Sequence, residues 1–142
     1  MCCECCKEIS KNECCKTGLG AVKRSDREKY RFNNTREINC SIDIDSCLKD
    51  VFPEASRWDY LICYKDRAFF VEIHPANNGE NIKEVLKKLD WLKSNVLRKA
   101  KCKNLKIYIY WIATGRISYS TRSRQRKQIE SKRIKLVSFL SV

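Results

Sequence analysis

Three groups able to bind a metal ion or move a proton, Asp59, Glu72 and His74, lie within residues 57–75, RWDYLICYKDRAFFVEIHP, where the surrounding pattern calls for apolar core. Two β-rich runs, 58–64 and 68–74, flank the polar residues Lys65, Asp66 and Arg67, which is the sequence form of a β-hairpin. Alternation along the second run puts Phe70, Glu72 and His74 on one face and Phe69, Val71 and Ile73 on the other. If the loop is the pair Lys65 and Asp66, Tyr64 faces Arg67, and counting outward sets Asp59 opposite Glu72. Cross-strand partners share a face with Cβ atoms about 4.5–5.5 Å apart, so the two carboxylates nearly touch. Repulsion and desolvation both oppose that arrangement. A hard divalent cation, Mg²⁺ or Mn²⁺, relieves both and favours one or two carboxylates plus water and phosphate oxygens. His74, held extended by Pro75, is placed to orient or deprotonate an attacking water. A one-residue slip in register sends Asp59 to the opposite face; in that reading both acids are ordinary solvated charges on an edge hairpin.

An Asp at a strand start, a tight turn, and Glu-x-Lys closing the next strand before a long helix form the motif of the PD-(D/E)XK nuclease superfamily. The chain resembles that family over residues 36–142. Its half-motifs read Trp58-Asp59 and Glu72-Ile73-His74, with no Pro before the Asp and His in place of the Lys. The resemblance implies an α/β fold, restriction-endonuclease-like, with a mixed central β-sheet flanked by helices. It implies that Asp59 and Glu72 bind Mg²⁺ or Mn²⁺ with the Ile73 carbonyl as a further ligand. His74 then stands in the lysine's place, and Asp59, Glu72 and His74 form the catalytic set of a nuclease. Some members with this fold only bind nucleic acid. Hence the alternative, a non-catalytic nucleic-acid-binding module with a zinc-binding N-terminus.

Charge points to the same class of partner. Lys plus Arg number 30 against 17 Asp plus Glu, a formal charge of +13 at pH 7, and an excess of that size favours a polyanion such as nucleic acid. The densest basic stretch follows Gly115 and contains Arg116, Arg122, Arg124, Arg126, Lys127, Lys132 and Arg133 against the single acid Glu130. Ser and Thr interleaved with Arg suit phosphate contacts, and a helix starting near Ser120 or Ser123 would aim backbone N–H groups at a phosphate. With His74 the only histidine, a metal-free ribonuclease built on paired histidines is excluded. No serine sits in a nucleophile-elbow pattern.

The ten cysteines divide into a cluster in the first fifteen residues and four scattered ones, Cys40, Cys47, Cys63 and Cys102. The scattered four read as small core hydrophobes. Within the cluster, Cys3, Cys6, Cys14 and Cys15 have a spacing able to wrap Zn²⁺; the other reading is a thiol-rich tail too polar to fold alone. Residues 1–20 are therefore expected as a Cys-rich tail or small metal knuckle, and residues 21–142 as the nuclease-like domain. No run approaches the ~18–20 apolar residues of a membrane span, and the N-terminus lacks the apolar core of a secretory signal. A cytoplasmic setting with no membrane contact is the expectation, and there disulfides are disfavoured.

The elements that position these groups are legible in outline. Residues 21–32 read as a basic helix or continued linker, 38–44 as a strand, and 46–52 as a helical turn capped by Asp45, with Asp50 or Glu54 a candidate third acid. Over 81–101, Ile82, Val85, Leu86, Leu89, Leu92, Val96, Leu97 and Ala100 trace one apolar helical stripe. Trp91 falls on the polar side beside Lys87, Lys88 and Arg98. It is either an anchor for a second copy or protein partner, a stacking platform for a base, or a ring covered by an adjacent segment. Residues 105–113 read as a buried strand, and Val137, Phe139, Leu140 and Val142 as a short final one.

Overall fold

The computed structural model describes residues 4–9 and 14–142. Its elements in chain order are α1 (Glu4–Ile9), β1 (Cys15–Thr17), β2 (Tyr30–Arg31), β3 (Ile38–Asp43), α2 (Ile44–Cys47), β4 (Tyr60–Tyr64), β5 (Arg67–Pro75), α3 (Gly79–Leu92), β6 (Lys106–Thr114), α4 (Arg124–Ser131), β7 (Ile134–Val137) and β8 (Leu140–Ser141). Six strands form a mixed sheet in the order β1-β3-β4-β5-β6-β7. The first three pairings are antiparallel and the last two parallel. Parallel neighbours need a long crossover, and α3 and α4 supply the two. The expected α/β class with a mixed sheet and flanking helices is what the chain adopts.

Side-chain alternation splits the core in two. Cys40, Ile42, Leu61, Cys63, Ala68, Phe70 and Trp111 project toward α3 and α4, whose Ile82, Val85, Leu89, Leu92 and Ile129 close that layer. Ile62, Tyr64, Phe69, Val71 and Ile112 project the other way, where Val22, Tyr30 and Leu140 cover them. The cover comes from a 3₁₀ turn at Arg24–Lys29 and a two-stranded parallel sheet of β2 and β8. The short basic helix read within residues 21–32 is the 3₁₀ helix Arg24–Lys29, and Tyr30–Arg31 continue as a strand rather than a linker. The chain end is likewise two strands: β7 extends the main sheet, while β8 crosses to pair with β2.

Helix boundaries depart from the apolar pattern at both termini. α3 begins at Gly79 because the Asn78 side chain accepts the Asn81 N–H at 2.9 Å, satisfying a donor that the first turn leaves over. It gives way at Lys93–Leu97 to a π turn, so the regular helix stops short of 101, although Val96 and Ala100 of the expected stripe stay in the core. α2 is capped by Asp43, which accepts from Ser46 N at 3.0 Å, and not by Asp45; Asp45 instead pairs with Arg57 Nε at 2.9 Å. Asn78→Ala should lower stability by about 1 kcal/mol, read as a shift in the urea midpoint without a change in slope.

Trp91 is 9% exposed, with its ring edge-on to Phe52 at 5.5 Å between centroids. The segment after α2 folds over that side of α3, so the covered reading holds. Trp91 offers no exposed ring to a second copy, a protein partner or a base.

The cysteine-rich segment does not stand apart from the domain. Cys5 and Cys6 are buried in the main core, and β1 is an edge strand of the sheet. Disulfides join Cys5 to Cys102 and Cys14 to Cys47, and Cys15 is also disulfide-bonded. Two of the four sulfurs expected to hold Zn²⁺ are thereby crosslinked, Cys6 turns toward Cys40, and Cys3 lies outside the described residues. No helix of the described residues is long and apolar enough to cross a membrane.

Candidate active site

The hairpin sets the geometry. The turn is the pair Lys65 and Asp66, with Lys65 taking a left-handed φ of 52°, and the register runs from Tyr64 opposite Arg67 to Tyr60 opposite Val71. The next step outward is Asp59 and Glu72. Here the strands part from regular pairing, and side chains replace backbone carbonyls as acceptors. Ile73 N donates to Asp59 Oδ2 at 2.9 Å, and Asp59 N donates to Glu72 Oε1 at 3.2 Å. The structure therefore brings the two acids together at the open end of β4 and β5, on the face that α3 covers.

Glu72 is fully buried. An isolated carboxylate there would be prohibitively costly. Its compensating charge comes from α3: Lys88 Nζ donates to Glu72 Oε2 at 2.6 Å. His74 Nδ1 lies 3.3 Å from the same oxygen, while His74 Nε2 lies 3.5 Å from Glu84 Oε1. Glu84 and Lys88 are one helical turn apart on α3, so both reach the sheet end from one side. The His74 carbonyl accepts from Trp111 Nε1 at 2.9 Å, which holds the end of β5 against β6.

The electrostatics follow from this crowding. Burial, then the neighbouring Glu72 charge, push the Asp59 carboxyl up to about 7, against the Ile73 N–H and Lys88, which hold it down. His74 is raised, chiefly by its hydrogen bond to Glu72 against the opposing effect of burial. Burial pulls the Lys88 ammonium down, but the Glu72 charge and hydrogen bond outweigh it and leave Lys88 above the ordinary lysine value. Hydrogen bonds from Asn81 and then His74 lower the exposed Glu84. The cluster holds three acids against one ammonium and one imidazole, and proton uptake by Asp59 is how it relieves the remaining excess.

Lys88 and Glu84 are the members that sequence reasoning missed. At about 100° per residue, Lys88 falls only about 40° from Leu92, on the flank of the apolar stripe. A lysine on a stripe edge, one turn after a glutamate on the same edge, was the available signal. The candidate third acids Asp50 and Glu54 are exposed and join none of the hydrogen bonds or ion pairs around Asp59 and Glu72.

The basic segment begins beside this cluster. Ser118 N donates to the Ala76 carbonyl at 2.9 Å, and the Tyr119 hydroxyl donates to the Asn78 carbonyl, so the loop after β6 is tied to the link between β5 and α3. Ser123 caps α4, accepting from Arg126 N at 3.1 Å. Arg116, Arg122, Arg124, Lys127, Lys132 and Arg133 are exposed, while Arg126 is half-buried with its Nε 4.0 Å from Glu130. A groove lined by Ser56, Glu80, Lys83, Glu84, Lys87 and Lys88 borders the cluster through Glu84 and Lys88. No family model, characterised protein or solved structure matches the chain.

Proposed function

We propose that the chain is a divalent-metal-dependent nuclease of restriction-endonuclease-like fold, hydrolysing phosphodiester bonds in DNA or RNA. The observation that carries this reading is the convergence of Asp59, Glu72 and Lys88 at one sheet end, with an exposed basic loop and helix tied beside them. Two crowded carboxylates, one holding its proton up to about pH 7, form a donor set that suits Mg²⁺ or Mn²⁺. Asp59, Glu72 and the Ile73 carbonyl would hold the ion. When bound, such an ion supplies Lewis-acid polarisation of a phosphoryl oxygen and lowers the pKa of water.

The chain's own groups have separable tasks. Lys88 takes the place of the ammonium that the family motif carries two residues after its Glu, and it opposes the charge gathering on the phosphoryl oxygens. His74, with both ring nitrogens facing carboxylates, orients Glu72 and adds positive charge when protonated; while both are so engaged it has no lone pair with which to take a proton from water. Arg116, Arg122, Arg124, Lys127, Lys132 and Arg133 grip the backbone. Water oxygen bonds to phosphorus, its proton passes to solvent, and the departing ester oxygen gains a proton.

One observation favours the rival reading of a non-catalytic nucleic-acid-binding module. Both Glu72 oxygens already have partners within the chain, as an internal structural pair would. Labelled DNA and RNA with Mg²⁺ or Mn²⁺ separate the two. The nuclease reading expects cleavage that Asp59→Asn and Glu72→Gln each reduce at least ~100-fold. The binding module expects no cleavage with either metal and affinity that falls steeply with salt but survives both substitutions. The cytoplasmic setting read from the sequence is one that the disulfides pull against, since such crosslinks persist in oxidising compartments.

A further inference from the structure

We infer that Cys6, Cys40 and Cys63 form a mononuclear thiolate site for a Zn²⁺-type ion, separate from the carboxylate cluster and structural in role. The three come from different elements. Cys40 on β3 and Cys63 on β4 are direct register partners, and α1 brings Cys6 down onto them, with Cys6 Sγ 3.2 Å from Cys40 Sγ. All three sulfurs lie within 4.8 Å of one another and are buried.

Distance and chemistry narrow what this cluster can hold. A disulfide places sulfurs about 2.05 Å apart, so the Cys6–Cys40 approach is too long for a covalent bond. Tetrahedral coordination at about 2.3 Å per Zn–S bond puts thiolates about 3.8 Å apart, inside the 3.2–4.8 Å spread seen here. Soft thiolates select Zn²⁺ over the hard ions that carboxylates prefer. The two sites do not compete for one metal: Cys63 on β4 stands four residues beyond Asp59, which directly precedes that strand, about 13 Å away along extended chain.

The fold has a use for a closed site here. α1 spans only 6 residues, too few to hold a helix alone, yet its Cys5 and Cys6 are core residues. One end of its attachment is the Cys5–Cys102 disulfide together with the Glu8 carboxylate, which accepts from Lys101 N and Cys102 N at 3.1 and 3.2 Å. A metal at Cys6 adds a second attachment, to β3 and β4. The described residues supply three of the four ligands that a tetrahedral structural site takes.

The test uses the full chain, expressed with Zn²⁺ and purified without chelator. Elemental analysis and native mass spectrometry should find about one tightly held zinc per chain, as a closed structural site requires. Cobalt exchanged into the site should show thiolate-to-metal charge-transfer absorption. Cys40→Ser and Cys63→Ser should each lose the metal, while Cys47→Ser, outside the cluster, keeps it. Should those two variants fail to fold, wild-type protein decides: chelation must release zinc and make these three thiols reactive to alkylation in peptide mapping. Asp59→Asn should retain full zinc whatever happens to cleavage, which keeps this outcome distinct from the nuclease reading. A chain purified without zinc or charge-transfer bands, a disulfide mapped between any two of the three, or zinc retained by folded Cys40→Ser would each overturn the assignment.

Discussion

Lys88→Met is expected to destabilise the protein by about 3–5 kcal/mol at pH 8, the range seen when one partner of a buried ion pair is removed. The reason lies in Glu72, which has no exposed surface and receives the Lys88 ammonium at 2.6 Å. Without Lys88 the carboxylate must stay charged in an apolar layer or bind a proton, and at pH 8 either course is costly. As pH falls, His74, 3.3 Å from the same oxygen and raised above its ordinary value by that contact, becomes an imidazolium and supplies a second compensating charge. The deficit should therefore shrink toward pH 5. Urea unfolding at both pH values measures it. The double substitution Glu72→Gln with Lys88→Met removes both charges and should recover most of the loss, giving a coupling energy that the single variants cannot reveal. If Lys88→Met costs under ~1 kcal/mol at pH 8, as an exposed pair would, the compensating role assigned to this lysine is wrong. Under the nuclease reading the same variant also loses cleavage, and the double variant regains stability without regaining activity.

This dependence explains which parts of the molecule could be read from its residues. The hairpin could, because a two-residue turn and a period of two leave almost no freedom: once Lys65 and Asp66 make the loop, Asp59 must meet Glu72. The apolar stripe of α3 was legible for the same reason, since Ile82, Val85, Leu89 and Leu92 repeat at helical spacing. What failed were matters of boundary and cover. Local pattern does not say that Phe52 will close over Trp91 or that a π turn ends the helix. Lys88 lies on the border between the apolar and polar faces of α3, so helical periodicity alone does not single it out. The residues that reach into a buried polar site sit between the two. Cysteines that neighbour one another in sequence are not neighbours in space. Cys14, just before β1, meets Cys47 of α2, while α1 brings Cys6 to Cys40 and Cys63 on β3 and β4. The carboxylate repulsion calls for a compensating cation, and the sequence does not disclose that α3 supplies one of its own, Lys88.

With that ammonium in place, Asp59 carries the uncompensated charge, and Asp59→Asn should stabilise metal-free protein at pH 8. The Asp59 carboxyl rises from an unfolded value of 3.8 to about 7 in the fold, mainly through burial and then through the Glu72 charge. A raised carboxyl contributes stability that is fully present below about pH 4 and is lost as pH climbs through about 7. Wild type should thus weaken across that window by an amount on the order of 2–4 kcal/mol. The asparagine variant, which keeps an oxygen for the Ile73 N–H but has no proton to lose, should lack this component. The two proteins should melt within a degree or two of each other at pH 4 and diverge by roughly 5–15 °C at pH 8. Divalent metal should narrow this gap. Binding to the native state alone stabilises by about 2.7 kcal/mol at one hundred times Kd, so Mg²⁺ or Mn²⁺ should raise the wild-type melting temperature at pH 8 and leave Asp59→Asn almost unmoved. Asp59→Asn less stable than wild type at pH 8 without metal would mean that its carboxylate is a structural acceptor and not a charge under stress. An equal metal response in both proteins would place the ion elsewhere. The pairing of a metal-free gain with a lost metal response distinguishes a site built to receive a cation from one already balanced by Lys88.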